Sequence, residues 1–236
     1  MLRNMGLESL RLDLDDSESI RDALVEILDR TGGTLDALFN NGAFGLPGAV
    51  EDLSRDAIRA QFETNFFGWL ELTNLVLPVM RKQGFGRIIQ NSSILGLVAM
   101  PYRGAYNSSK FAIEGISDTL RLELRGSGIH ISLIEPGPIL SKFRANSVIA
   151  LEKYIDIEHS VHADFYRRVL ARLKTQGPAV PFTLPPEAVL DNVIRALESR
   201  RPRARYYVTV PTHVFALLKR LLPVRVLDKL LCLAGN

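Results

Sequence analysis

Short β-like runs alternate with longer helical stretches along most of this 236-residue chain, and that order limits the fold more than composition does. LRLDL at 10–14 reads as a strand. A helix follows from about Ser17 to Arg30, with Ile20, Ala23, Leu24, Ile27 and Leu28 as its apolar stripe and Asp16 as its N-cap. LDALFNN at 35–41 is the next strand, then a glycine-rich loop. A helix over Ser54–Lys82 carries Ile58, Phe62, Phe66, Leu70 and Leu77 on its buried side. GRIIQNSS at 86–93 is a strand, 102–128 a helix, and IHISLIEPG at 129–137 a strand ending in a Pro-Gly turn. Helices over 150–175 and 186–199, a strand at 205–210 and a basic amphipathic tail at about 212–232 complete the chain. Repeated strand–helix–strand units predict one α/β domain over 1–236, a doubly wound parallel sheet with helices on both faces.

In such folds ligands bind beyond the carboxyl ends of the strands. Three segments fall there: NNGAFG after 35–41, NSSILG after 86–91 and PGPILS after 129–135. Beside them, Tyr106 precedes Lys110 by four residues, one helical turn, so both share a face. An ammonium beside a phenol favours the phenolate, which suits proton exchange near neutral pH. Taken alone, the pair reads as an ordinary surface tyrosine and a solvated lysine, and the surroundings must decide. Ser93, 13 residues before Tyr106, sits at the mouth of its strand, where a hydroxyl can bond a substrate oxygen. Asn65 can hold a water near the lysine, or simply bond a loop carbonyl.

Taken together, N-S-S-x-x-G, Y-x-x-x-K and the later P-G resemble the short-chain dehydrogenase/reductase family over nearly the whole chain, most of all its bacterial retinol- and 17β-hydroxysteroid dehydrogenase-like members. The resemblance implies a Rossmann-like fold and a catalytic set of Asn65, Ser93, Tyr106 and Lys110. It implies hydride transfer between a nicotinamide cofactor and a lipophilic alcohol or its aldehyde or ketone, with Tyr106 as acid or base. Cofactor contacts carried over are Asp13 and Leu14 toward the adenine, Asn41, Gly42 and Ala43 beside the ribose, and Tyr106 and Lys110. Pro136, Gly137, Ile139 and Ser141 fall over the nicotinamide, and Asn40 braces the strands. The cofactor is NADP or NAD, with NADP favoured by analogy, and the full-length form is expected to be a homo-oligomer. The family's opening βαβ unit with its TGxxxGxG turn has no counterpart here, so the first two family strands are expected to be absent. Met1 then reads as an internal methionine of a longer enzyme. The alternative is a cofactor-dead relative acting as a binding or scaffold protein. Without those strands, LRLDL must pair with LDALFNN or hang free at an apolar edge.

Composition narrows the remaining classes. One cysteine, Cys232, excludes an internal disulfide and a cysteine metal cluster. No apolar run approaches membrane-span length and the start lacks a signal-peptide core, so a cytoplasmic protein is expected, with peripheral membrane contact as the further option. Nine Lys/Arg face Glu198 and Asp228 between Arg195 and Lys229, an excess of seven within a net charge of +3. The near absence of aromatics there argues against a nucleic-acid surface. Val214, Leu217, Leu218, Leu221 and Leu222 are expected to pack on the substrate pocket or a dimer partner, with peripheral membrane contact as the other outcome. His159 and His162 lack a third ligand, so no metal is expected.

Overall fold

The computed structural model describes residues 6–235 except 176 and 179. Its sheet has four parallel strands in chain order, β1 (Ala37–Asn40), β2 (Gly86–Asn91), β3 (Ile129–Glu135) and β4 (Arg205–Tyr207). Phe39 pairs with Ile89, Ile89 with Ser132, and Ile134 with Tyr206. Helix α1 (Ser17–Thr31) starts at Asp16, whose carboxylate accepts from the Glu18 N–H at 2.9 Å, and ends at Gly32 in the left-handed region, φ 65°.

Alternation along the strands sends side chains to opposite faces. Ile88 of β2, with Ile129 and Ile131 of β3, meets Ile20 and Leu24 of α1 and Leu72, Val76 and Met80 of α3 (Gly68–Gln83). Ile89 and Ile134 turn the other way, onto Val193 and Ala196 of α7 (Glu187–Glu198). Helices thus cover both faces, as the alternation predicts. Each fully buried Ile or Met contributes roughly 1.5–3 kcal/mol of apolar transfer.

Three expected elements differ. Residues 10–14 form no strand, because among the described residues β1 pairs only with β2 and the segment is drawn into a turn at the start of α1. There the Asp13 N–H donates to Ser19 Oγ at 3.0 Å and the Asp16 N–H to the Asp13 carbonyl at 3.3 Å. The expected helix over 54–82 is three pieces, α2 (Arg55–Phe62), a π-helical turn (Glu63–Phe67) and α3. The expected helix over 150–175 is two, α5 (Phe143–Tyr154) and α6 (Ala163–Lys174), because Tyr166 must turn back so that its hydroxyl can bond Asp52 and the Ala49 N–H. Helix α4 (Gly104–Glu123) follows β2, and α8 (Val210–Leu221) and α9 (Val224–Gly235) end the chain on either side of Pro223.

Candidate active site

Strand β2 ends at Asn91, and the two serines that follow emerge at the carboxyl edge of the sheet. Ser93 caps a short 3-10 turn, Ile94–Gly96, with its Oγ accepting from the Leu95 N–H at 3.1 Å. The Ile94 N–H donates to the Pro136 carbonyl at 2.8 Å, which ties this turn to the end of β3. Helix α4 then brings Tyr106, in its first turn, beside Ser93. Phe143 of α5 meets the Tyr106 ring edge-on, centroids 5.3 Å apart.

Lys110 stands one turn further along α4 and is only 1% exposed. Its Nζ donates to the Asn91 carbonyl at 2.7 Å, lies 4.3 Å from the Trp69 ring centroid and 5.7 Å from that of Tyr106. Burial pulls the ammonium down to about 7, against the pull of the Glu114 carboxylate. Burial also holds the Tyr106 phenol above its ordinary range, opposed by the Ser93 hydrogen bond. Desolvation is therefore the leading influence on the tyrosine here. The two groups are nevertheless within one turn and share a partner strand end.

Asn65 sits fully buried in the π-helical turn, a distortion that recurs at functional sites. Its Oδ1 accepts from the Phe44 N–H at 3.1 Å, and its Nδ2 donates to the Phe44 carbonyl at 2.9 Å and to Ser109 Oγ at 3.2 Å. The side-chain amide thus anchors the NNGAFG loop against the π-helical turn.

The expected cofactor residues divide into two groups. Asp13, Leu14, Gly42 and Ala43 line one cleft of about 420 Å³ with Arg11 and Thr64. Leu14 reaches it because residue 68 is glycine: a Cβ there would lie 2.2 Å from the Leu14 carbonyl oxygen. Asn41 borders the site, its Oδ1 accepting from Asn91 Nδ2 at 2.6 Å, while the other oxygen of that pair, Asn91 Oδ1, is buried without a partner. Asn40 does brace the strands, donating to Thr73 Oγ1 at 3.0 Å and Gln90 Oε1 at 2.9 Å. Pro136 meets the Ser93 turn through its carbonyl, whereas Gly137 packs against Thr209 and Thr212, Ile139 bridges to Leu184, and Ser141 is exposed, accepting from the Phe143 N–H at 3.3 Å. The His159 and His162 rings meet carboxylates, Asp156 at 2.8 Å and Glu51 at 2.5 Å.

Sequence reasoning missed Trp69, whose indole N–H donates to the Gly42 carbonyl at 2.7 Å while its ring faces Lys110. Its one available signal was a lone tryptophan four residues, one turn, after Asn65. The tail was half legible. Leu218 and Leu222 pack with Phe215 on Ile94, Val98, Leu227 and Leu231, beside the Ser93 turn, but Val214, Leu217 and Leu221 face outward.

Comparison with known proteins follows the same lines. Residues 3–151 match the family model described as short chain dehydrogenase. The uncharacterized oxidoreductase YbbO of Escherichia coli is 43% identical over 230 residues, 98% of this chain and 79% of that protein. Human 17-beta-hydroxysteroid dehydrogenase type 1 is 33% identical over 206 residues, 86% of this chain and 61% of the relative. Bovine retinol dehydrogenase 8 is 41% identical over 133 residues, 56% of this chain and 42% of the relative. A Burkholderia phymatum short chain dehydrogenase/reductase solved with NAD superposes with TM-score 0.73 at 23% identity, covering 93% of this chain and 76% of that one. One from Burkholderia cenocepacia solved with NADP gives 0.70 at 22% identity, covering 94% and 77%.

Proposed function

The chain belongs to the short-chain dehydrogenase/reductase family and is a nicotinamide-dependent oxidoreductase, and from that premise we propose that Ser93, Tyr106 and Lys110 interconvert a lipophilic alcohol and its aldehyde or ketone. The observation that carries the reading is that Ser93 and Tyr106 are brought together at the carboxyl edge of the sheet, with a buried ammonium one turn away on α4. Ser93 Oγ already accepts from Leu95, so its own proton is available to a substrate oxygen. Tyr106 gives its proton to that oxygen during reduction and takes one during oxidation, as a general acid or base. Lys110 uses one of three N–H donors on Asn91, leaving two for ribose hydroxyls and for the tyrosine. Asn65 serves by fixing the loop that borders this crevice.

The residues present fit the two ends of a nicotinamide dinucleotide. The cleft beside Asp13, Leu14, Gly42 and Ala43 suits a flat base, and the unpartnered Asn91 Oδ1 lies next to the Lys110 anchor. That cofactor, NADP by analogy and otherwise NAD, supplies the hydride. Support for an apolar substrate comes from relatives named for steroids and retinol, and from the apolar cluster of Ile94, Val98, Leu227 and Leu231 packed beside the Ser93 turn.

We extend the proposal to surfaces. The outward row Val214, Leu217, Leu221 and Val224, with Arg220, Arg225 and Lys229 on the same two helices, suits peripheral contact with an anionic membrane. Exposed Ile58 and Phe67 on the π-turn side, in a groove with Phe62, suit a homo-oligomer. The cytoplasm is the compartment we assign.

The test follows reduced dinucleotide consumption with long-chain aldehydes and steroid ketones, and formation with the alcohols. Tyr106→Phe should lower turnover by about 10²–10⁴-fold while dinucleotide binding, read by nicotinamide fluorescence, stays within about twofold. Turnover kept within a few-fold sinks the proton-transfer assignment. Failure of the native chain to bind either dinucleotide favours the alternative, a binding or scaffold protein.

A further inference from the structure

Behind the reacting groups lies a buried ionic cluster that the mechanism leaves unused. Glu114 follows Lys110 by one turn of α4 and is almost fully buried. One carboxylate oxygen accepts from Ser92 Oγ, the residue before Ser93, and the other from Arg205 of β4. The same guanidinium donates to Glu135 Oε1 at 2.7 Å, at the end of β3, and to Asp118 Oδ2 at 2.6 Å, the next turn of α4. Glu114 thus links three elements of the site: its own helix, which carries Tyr106 and Lys110, the turn of Ser93, and, through Arg205, the strand end before Pro136 and Gly137.

A separate observation shows how closely that turn sits on it. A Cβ on Gly96, the last residue of the Ser93 turn, would lie 2.7 Å from Ser92 Oγ and 2.9 Å from Glu114 Cγ. Only glycine lets the turn close over the carboxylate, so glutamate on the helix and glycine in the turn act as one fitting.

We propose that Glu114 is a positioning residue of the active site: clamped by Ser92 and Arg205, it locks helix α4 against the Ser93 turn and favours the charged form of the buried Lys110. The proposal rests on the reading of Lys110 as the lysine of the site. Lys110 has one buried carboxylate one turn away, and its other polar contact is the neutral Asn91 carbonyl. The other charged or titratable groups around Glu114 are Tyr106, Asp118 and Arg121 on α4, Glu135 on β3, and Arg205 and Tyr207 on β4, with Arg220 of α8 beyond Tyr207. Arg205 is shared among three carboxylates, so removing Glu114 also turns residual positive charge toward Lys110.

The experiment reads Lys110 directly, apart from turnover. The full chain, carbon-13-labelled at lysine side chains, is titrated by NMR, and loss of a signal in Lys110→Met assigns the resonance. The native ammonium is expected to titrate near 7. Glu114→Gln should lower that midpoint by about one pH unit, the effect of losing an opposite charge one turn away. Glu135→Gln, an equally isosteric change in the same cluster, should not lower it. Equal falls in both variants would mean simple loosening of the cluster and overturn the proposal, as would no fall in Glu114→Gln. Should the glutamine variant unfold, Glu114→Asp keeps the charge and must hold the midpoint within about half a unit; a full-unit fall refutes the idea. Because the readout is a titration, a chain that proved catalytically inert would still return an answer about Glu114.

Discussion

Replacing Glu135 with glutamine should remove a pH dependence of stability that the fold imposes. The side chain is 0% exposed, Oε1 shares the Arg205 guanidinium with Glu114, and Oε2 has no partner. Burial and the Glu114 carboxylate together hold the Glu135 carboxyl well above the usual carboxylate range, with Arg205 pulling the other way. A folded-state value raised above the unfolded one means that the native protein keeps a proton which the unfolded chain has already released. Stability is therefore greatest below about pH 4.5 for this group and falls as pH rises through the window up to about 8. The slope is about 1.4 kcal/mol per pH unit for one whole proton. Between about pH 5.5 and about pH 7.5 that gives at most about 2.7 kcal/mol, and on the order of 2 once Glu114 shares the titration. Glutamine mimics the protonated carboxyl and cannot ionise, so its stability lacks this fall. Lys110 contributes with the opposite sense: its lowered value makes stability rise with pH from about 7 toward 10.5, but that holds in both proteins and cancels in the difference. Urea unfolding of native and variant chains at the two pH values measures the effect. The variant should gain on the native protein by about 2 kcal/mol at the higher pH relative to the lower. A difference that stays constant within about 0.5 kcal/mol would refute the reasoning, because Glu135 would then ionise alike in both states.

Gly68→Ala places a methyl 2.2 Å from the Leu14 carbonyl oxygen, so a backbone shift costing about 1–3 kcal/mol and weaker dinucleotide binding are expected, by thermal melting and fluorescence titration. An unchanged melting temperature would show that Leu14 is not held there. Trp69→Phe keeps a ring beneath Lys110 but orphans the Gly42 carbonyl, for an expected loss of about 1–2 kcal/mol in denaturant unfolding. Sedimentation with phosphatidylserine vesicles should carry the chain down at low salt and release it at high salt, and Leu217→Asp with Leu221→Asp should abolish binding. If nothing sediments at low salt, the exposed row on α8 serves a protein contact instead.

What could be read in advance is what lies within a few residues of itself. The two-residue and 3.6-residue periods place β1, β2, β3 and α1 on chemistry that neighbours supply, including the Asp16 cap. The four-residue step from Tyr106 to Lys110 is a property of any helix, and Ser93 at a strand mouth follows from where the apolar run stops. The motifs quoted from those segments were enough to indicate the family before any geometry was known. Residues 10–14 show the limit, since an alternating apolar run becomes a strand only when another strand offers hydrogen bonds, and a turn onto Ser19 claimed that backbone instead. Asn65 was marked by its place in ETNFFGW, yet what its amide bonds depended on where Phe44 folded back, 21 residues earlier.

The sequence by itself determined the order of elements and which side chains are proposed to react, because both depend on local periodicity and residue chemistry. Tertiary structure alone decided that Arg205 reaches Glu114 from 91 positions away, that Trp69 underlies Lys110, and that burial governs both Tyr106 and Lys110. Those are effects of desolvation and of charges brought together across the sheet, and neither exists until the chain has closed around them.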